Sequence, residues 1–121
     1  MPKRSVLVVD DDAMMCQMLV EDLRERGFDA EFALGVEQAL RLLSSERFGA
    51  VVSDVQMAPR SGFELLVALR RRQAAPPVIL MTAFSTPDVA REAREAGAFG
   101  FLKKPFLPSQ LSEIVDSAIP H

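Results

Sequence analysis

Short apolar runs alternate with longer amphipathic segments along this chain of 121 residues. The apolar runs predict strands at residues 6–9, 29–34, 50–53, 78–81 and 100–103. Between and after them, apolar residues recur every three or four positions opposite charged ones, which predicts five helices. In the first helix Met15, Leu19 and Leu23 form the apolar stripe, and Gly27 marks its end.

The alternation of strands and helices predicts the fold class. Apolar stripes and boundary residues mark the later helices at Val36, Leu40 and Leu43, at Phe63, Leu66 and Leu69, at Pro87 and Gly97, and at Pro108 and Leu111. Uninterrupted apolar strands such as "VLVV" and "VILM" are typical of parallel sheets that are covered on both faces. No linker interrupts the pattern, so residues 1–121 are expected to form one doubly wound α/β domain.

Composition narrows the function classes. Hydrophobic residues make up 49% and charged residues 26%, which is ordinary for a globular protein, and the formal net charge is −3. We therefore expect no direct binding to nucleic acid or to an anionic membrane surface. Cys16 is the single cysteine, so it cannot form an internal disulfide. The first residues resemble neither a signal peptide nor a spanning helix, and a cytoplasmic location is expected.

The strand ends carry a distinct set of polar residues. In open α/β sheets, ligands bind beyond the carboxyl ends of the strands. The first predicted strand leads into three acids, the third into one acid, the fourth into a hydroxyl and the fifth into two amines. In chain order these residues are Asp10, Asp11, Asp12, Asp54, Thr82, Lys103 and Lys104.

This combination suits phosphoryl transfer to a carboxylate. Carboxylates that crowd together repel one another, and a site of hard oxygen ligands suits Mg²⁺. Asp54 could act as the nucleophile, as carboxylates do in enzymes that form an aspartyl phosphate. An ammonium group such as Lys104 could stabilise charge on the phosphoryl oxygens, and the Thr82 hydroxyl could donate to them.

Four segments together resemble the receiver domain of bacterial two-component response regulators. They are "VLVVDDD", "VVSDVQMAPRSG", "VILMTA" and "GFLKKPF", in the order in which that family carries its acidic pair, phosphoacceptor, threonine and lysine-proline. The resemblance covers essentially the whole chain. It implies a flavodoxin-like sheet with strand order 2-1-3-4-5. It also implies a signalling switch that a partner histidine kinase phosphorylates, and no enzyme acting on an external metabolite.

The resemblance assigns a role to each matching residue. Asp10 and Asp11 would be the acids of the Mg²⁺ site, and Asp54 would be both the phosphoacceptor and a metal ligand. The backbone carbonyl of Gln56 would complete the protein's share of that site. Thr82 would bind the phosphoryl group.

Further roles follow from the same resemblance. Lys104 would pair with the phosphoryl group, and Phe101 stands where the family places an aromatic switch residue. Gln56 and Phe84 would tune hydrolysis of the acyl phosphate. Phe84 offers no hydrogen bond and should exclude water if it leans inward, so we expect a fairly persistent phosphoryl group.

One segment departs from the family pattern. The family commonly places Met and Pro side by side after the phosphoacceptor, whereas here the order is Met57-Ala58-Pro59, with Gly62 in its usual place. We therefore expect a different path for this loop. The Lys104–Pro105 peptide, by contrast, matches the family and is expected to be cis.

Two other functions remain open on the residues. A phosphatase of the haloacid-dehalogenase type also uses an Asp-x-Asp pattern after its first strand, which residues 10–12 fit. A degenerate receiver that binds partners without phosphorylation is the second alternative. Partners beyond the kinase would be an output domain, fused or separate, or a second copy in a homodimer. Met14 and Met18 either face the kinase or fill the core.

Overall fold

The computed structural model describes residues 4–72 and 75–119. Its strands are β1 (Ser5–Val9), β2 (Asp29–Ala33), β3 (Ala50–Asp54), β4 (Val78–Thr82) and β5 (Gly100–Lys103). Its helices are α1 (Ala13–Glu25), α2 (Val36–Ser45), α3 (Gly62–Arg70), α4 (Pro87–Glu95) and α5 (Pro108–Ala118). Strands and helices alternate, as the hydrophobic pattern predicts.

The strands form one parallel sheet in the order β2-β1-β3-β4-β5, which confirms the expected fold. The bounds of β5 match the prediction, and each of the other strands differs from its predicted bounds by one residue. The second strand ends at Ala33, because the N–H of Leu34 donates to the Gln38 side chain at 2.9 Å. β3 and β4 each run one residue further, and Asp54 still pairs with Met81.

Two apolar clusters fill the space on the two faces of the sheet. In the first core cluster, α1 and α5 pack against strand residues such as Val6 and Val8 of β1. The second core cluster packs α2, α3 and α4 against Leu7 and Val9. Because successive side chains from Val6 to Val9 enter opposite clusters, each of these four positions must be apolar. This requirement explains the uninterrupted apolar runs of the sequence.

Of the three consecutive acids at residues 10–12, Asp12 has a structural role at the start of α1. Asp12 is the N-cap, and its Oδ1 accepts the backbone N–H of Met15 at 3.2 Å. The first turn of a helix has unpaired N–H groups, which a carboxylate satisfies well. Asp10 and Asp11 are not needed for this cap.

Among the described helices, none has the length and apolar composition required to cross a membrane.

Candidate functional site

The strand order brings the polar strand ends together. Because β1 and β3 are neighbours, Asp10 follows one strand beside Asp54 at the end of the other. Both carboxylates are nearly buried, with 1% and 7% of the residue surface exposed, whereas Asp11 is exposed. Thr82, at the end of β4, is fully buried. Buried acids of this kind require a compensating cation.

Three carboxylates form a potential metal site. Asp10, Asp11 and Asp54 each offer an oxygen, and these oxygens all lie within 4.8 Å of one another. Hard carboxylate oxygens that leave room for waters and phosphate oxygens suit Mg²⁺. The donor set therefore fits the metal that the resemblance implies.

Lys104 supplies a cation to the same place. Its Nζ donates to Oδ2 of Asp10 and to Oδ2 of Asp54, each at 3.1 Å. Burial acts to lower the pKa of the Lys104 ammonium, but its bonds to the two carboxylates outweigh burial and raise the pKa. The Lys104–Pro105 peptide is cis, as expected. We refer to Asp10, Asp11, Asp54 and Lys104 as the acidic pocket.

Asp54 carries a perturbed carboxyl group. Burial raises its pKa, and the negative charge of Asp10 acts in the same direction. The hydrogen bond from Lys104 and one from the backbone N–H of Gln56, at 3.2 Å, lower the pKa and only partly offset burial. The negative charge of ionised Asp54 is thus only partly compensated, and a divalent cation would supply the remaining positive charge.

Thr82 lies in a hydrogen-bonded group beside the acidic pocket. Its hydroxyl donates to Oε1 of Gln56 at 2.8 Å and accepts the N–H of Phe84 at 3.0 Å. The sequence places Gln56 and Thr82 at neighbouring strand ends but does not indicate this contact. Only the structure shows that the carboxamide reaches the hydroxyl.

The two aromatic candidates occupy different environments. Phe84 is 69% exposed and does not lean into the fold. Phe101 is half-buried and packs against the second core cluster. Phe101 therefore has apolar neighbours among which it can repack, whereas Phe84 faces solvent.

The loop after β3 is tied to two helices. The Ala58–Pro59 peptide in this loop is cis, as is Lys104–Pro105 in the loop after β5. Arg60 pairs with Glu37 of α2 at 2.6 Å and with Glu64 of α3 at 3.0 Å. These ion pairs hold the segment that departs from the family pattern.

Gly62 is constrained by the backbone at the end of β3. A Cβ at this position would overlap the carbonyl oxygen of Asp54 and lie 3.1 Å from Cα of Val55. Backbone atoms cannot move aside as a flexible side chain can. The absence of a side chain at position 62 therefore allows the loop to close over the end of β3.

We expect Gly62→Ala to destabilise the protein by about 2 kcal/mol, because the overlap must displace backbone. Chemical denaturation would measure the loss. Gly35→Ala is the matched control, since a Cβ there meets nothing within 4 Å. Because Gly35 is the N-cap of α2, where glycine is preferred to alanine, this control should cost less, at most about 1 kcal/mol. Equal losses in both variants would contradict this account of Gly62.

Sequence reasoning left two features of α1 unassigned. Cys16 is buried and its Sγ donates to the backbone carbonyl of Asp10 at 3.3 Å, and burial raises the pKa of the thiol to about 12. Met14 and Met18 are 74% and 64% exposed, so core filling is the wrong interpretation for both. Met18 borders a largely apolar groove of about 470 Å³ that also includes Met15 and Phe106.

Comparison with known proteins agrees with this geometry. Residues 6–116 match the response regulator receiver domain. The transcriptional regulatory protein ZraR of Salmonella typhimurium is 36% identical over 98% of this chain and 27% of its own length. The transcriptional regulatory protein FixJ of Bradyrhizobium diazoefficiens is 37% identical over 97% of this chain and 57% of its own length.

Solved structures show the same fold. The chemotaxis protein CheY4 of Vibrio cholerae has a TM-score of 0.90 at 30% identity, covering 98% of this chain and 100% of its own. A response regulator receiver protein from Pseudomonas putida has a TM-score of 0.90 at 33% identity, covering 97% and 98%.

The extent of the matches decides what they establish. The chain spans about a quarter of ZraR and somewhat more than half of FixJ, so the comparison concerns the receiver portion of those proteins. A match over residues 6–116 does not favour the phosphatase alternative. With five parallel strands in the expected order and an acidic pocket at their carboxyl ends, the chain belongs to the response regulator receiver domain family.

Proposed function

We propose that the chain is a phosphoacceptor switch, phosphorylated on Asp54 by a partner histidine kinase in a Mg²⁺-dependent reaction. The observation that carries this proposal is the convergence of Asp10, Asp11, Asp54 and Lys104 at one edge of the sheet. A nucleophilic carboxylate, a set of metal ligands and an ammonium group are the parts that phosphoryl transfer to an acid requires.

The chemistry follows from the positions of these groups. A carboxylate oxygen of Asp54 attacks the phosphorus of the donor, an O–P bond forms, and the bond from phosphorus to the donor nitrogen breaks. Mg²⁺ bound at Asp10, Asp11, Asp54 and the carbonyl of Gln56 would neutralise charge on the phosphoryl oxygens. Lys104, which donates to Asp54 in the structure, would transfer that hydrogen bond to a phosphoryl oxygen.

The domain acts on itself in this scheme. It assists the formation of its own acyl phosphate and the later attack of water, and it turns over no external substrate. Thr82 and Phe101 would carry the change outward, since one lies beside the acidic pocket and the other packs into the second core cluster. The surface formed by α4, β5 and α5 would then differ between the two states.

The kinase would dock beside α1. Met14 and Met18 are exposed, and the groove next to Met18 is lined by Phe106 and by Lys104, which also belongs to the acidic pocket. Methionine adapts its shape to partner surfaces. Because ZraR and FixJ are named transcriptional regulatory proteins, we propose that a fused or separate output domain, rather than this domain, contacts DNA.

The direct test is incubation with acetyl phosphate and Mg²⁺, followed by intact-mass and peptide mass spectrometry. We expect one phosphoryl group per chain, located on Asp54 and lost when EDTA replaces Mg²⁺. Label on Asp10 with release of phosphate from generic phosphomonoesters would support the phosphatase alternative. No label under any donor would support the degenerate receiver.

Mg²⁺ should stabilise the folded protein through the acidic pocket. At a concentration 100-fold above Kd, the gain is about 2.7 kcal/mol. Asp11→Ala removes one of the three acids and should reduce the Mg²⁺-dependent rise in melting temperature. Asp12→Ala is the matched control, because Asp12 caps α1 and lies outside the three-acid group. An undiminished Mg²⁺ response in Asp11→Ala would remove Asp11 from the site.

A further inference from the structure

The single donor of the Thr82 hydroxyl is engaged in the unphosphorylated protein. It donates its proton to Oε1 of Gln56 at 2.8 Å and accepts the backbone N–H of Phe84 at 3.0 Å. A threonine hydroxyl has a single O–H donor. While Gln56 holds this proton, the hydroxyl cannot donate to a group on Asp54.

The rest of Thr82 is fixed in place. Its residue surface is fully buried, it ends β4, and its carbonyl accepts the backbone N–H of Lys104 at 2.7 Å. Threonine is branched at Cβ, so its side chain occupies a few discrete rotamers. The hydroxyl oxygen can therefore move toward Asp54 only if the side chain passes from one rotamer to another.

We propose that the Gln56 side chain is a latch that holds the Thr82 hydroxyl in the resting state and sets how readily the domain accepts a phosphoryl group. The inference rests on the phosphoacceptor function proposed above. Phosphoryl oxygens on Asp54 are charged acceptors and form stronger hydrogen bonds than a neutral carboxamide. They therefore replace Gln56 as the acceptor of the hydrogen bond from Thr82, but the bond to Gln56 must first be broken. Gln56 is thus a positioning residue that acts through Thr82.

The latch connects two loops. Gln56 follows β3 and Phe84 follows β4, and the Thr82 hydroxyl bonds to both. When the hydroxyl turns toward Asp54, its oxygen no longer faces the N–H of Phe84 as before. Opening of the latch therefore loosens the segment that leads into α4, on the surface proposed to signal.

The side chain of Gln56 can be changed without altering its main chain. Gln56 is exposed, so substitution should not disturb the core, and every variant keeps the backbone carbonyl proposed as a metal ligand. Gln56→Met preserves length and removes the acceptor. Gln56→Asn preserves the carboxamide but is one methylene too short to span the present 2.8 Å contact.

Beryllofluoride serves as the phosphoryl probe, because its fluorines stand in for phosphoryl oxygens on Asp54. Titration in the presence of Mg²⁺ should show roughly three- to tenfold tighter binding to Gln56→Met than to wild type, the effect of removing one resting-state hydrogen bond. Gln56→Asn should resemble Gln56→Met. In a Thr82→Val background, which lacks the hydroxyl, substitution of Gln56 should have no effect.

Each other outcome has a separate meaning. Equal affinity in wild type and Gln56→Met overturns the latch and leaves the phosphoacceptor function intact. Wild-type-like binding by Gln56→Asn overturns it too, because polarity rather than reach would then matter. A matching change in affinity for Mg²⁺ alone would assign the effect to the loop and its carbonyl, against the latch. Failure of the wild type to bind beryllofluoride would overturn the proposed function together with the latch.

Discussion

Asp54→Asn is expected to abolish phosphoryl uptake from acetyl phosphate. The carboxylate oxygen of Asp54 is the proposed nucleophile, and a neutral carboxamide is a far weaker one. Asp10 lies close to it but is held by Lys104 and by the backbone N–H of Asp12, at 3.1 Å each. Intact-mass spectrometry over a time course should show stoichiometric label in the wild type and none in the variant.

The substitution should leave the fold intact. Because burial raises the pKa of Asp54, the folded state disfavours its charged form at neutral pH. Replacing the charge by an amide of nearly equal size should therefore leave the metal-free protein at least as stable as the wild type. Thermal unfolding without Mg²⁺ measures this directly. The variant should also lose most of its response to Mg²⁺, since one of three acids has become neutral.

The control for this experiment is a second acid. Asp12→Asn keeps an N-cap residue at the start of α1 and lies outside the acidic pocket, so it should be labelled at nearly the wild-type rate. Label in Asp54→Asn at the wild-type rate would place the nucleophile elsewhere. Loss of label in Asp12→Asn would show that the assay reports on α1 rather than on Asp54.

The fold could be predicted because its signals are local. The central strands β1, β3 and β4 are buried on both faces, so each contains an apolar run, and the helices carry apolar stripes. The rule that ligands bind at the carboxyl ends of parallel strands predicted which edge of the sheet carries the site. The juxtaposition of Asp10 and Asp54 required more. It depends on β1 and β3 being neighbours, an order that came from the resemblance.

Side-chain partners were beyond the reach of the sequence. Gln56 could reach water, the metal site or Thr82, and the choice depends on loop geometry that no periodicity records. Met14 and Met15 are adjacent, yet one is exposed and the other half-buried, because a helix turns 100° per residue about an axis set by packing. Phe84 would exclude water only if it leaned inward, and in the structure it is 69% exposed.

Lys104→Met is expected to weaken the metal-free protein and to slow phosphorylation. The ammonium group bridges Asp10 and Asp54, and its side chain is only 18% exposed. Removing it leaves two nearly buried carboxylates without their cation, a change that should cost about 2 kcal/mol of unfolding free energy. For a domain of this size, the melting temperature should fall by roughly 8 °C.

Mg²⁺ should restore most of the lost stability. Without Lys104, the metal has no ammonium to displace from Asp54 and finds the three acids unchanged. The rise in melting temperature on adding Mg²⁺ should therefore be larger in Lys104→Met than in the wild type. A charge-independent loss of packing would behave differently, since the deficit would then persist at saturating Mg²⁺.

Phosphoryl uptake should remain impaired even when Mg²⁺ restores stability. The ammonium group is the proposed partner of a phosphoryl oxygen, and a charge-assisted hydrogen bond of this kind corresponds to roughly a ten- to hundredfold change in rate. Lys103→Met is the matched control, because Lys103 is adjacent and exposed and has the same charge. The rate of labelling by acetyl phosphate at saturating Mg²⁺ should fall in Lys104→Met and stay near wild type in Lys103→Met. Equal rates in the two variants would show that Lys104 serves only to balance the buried acids.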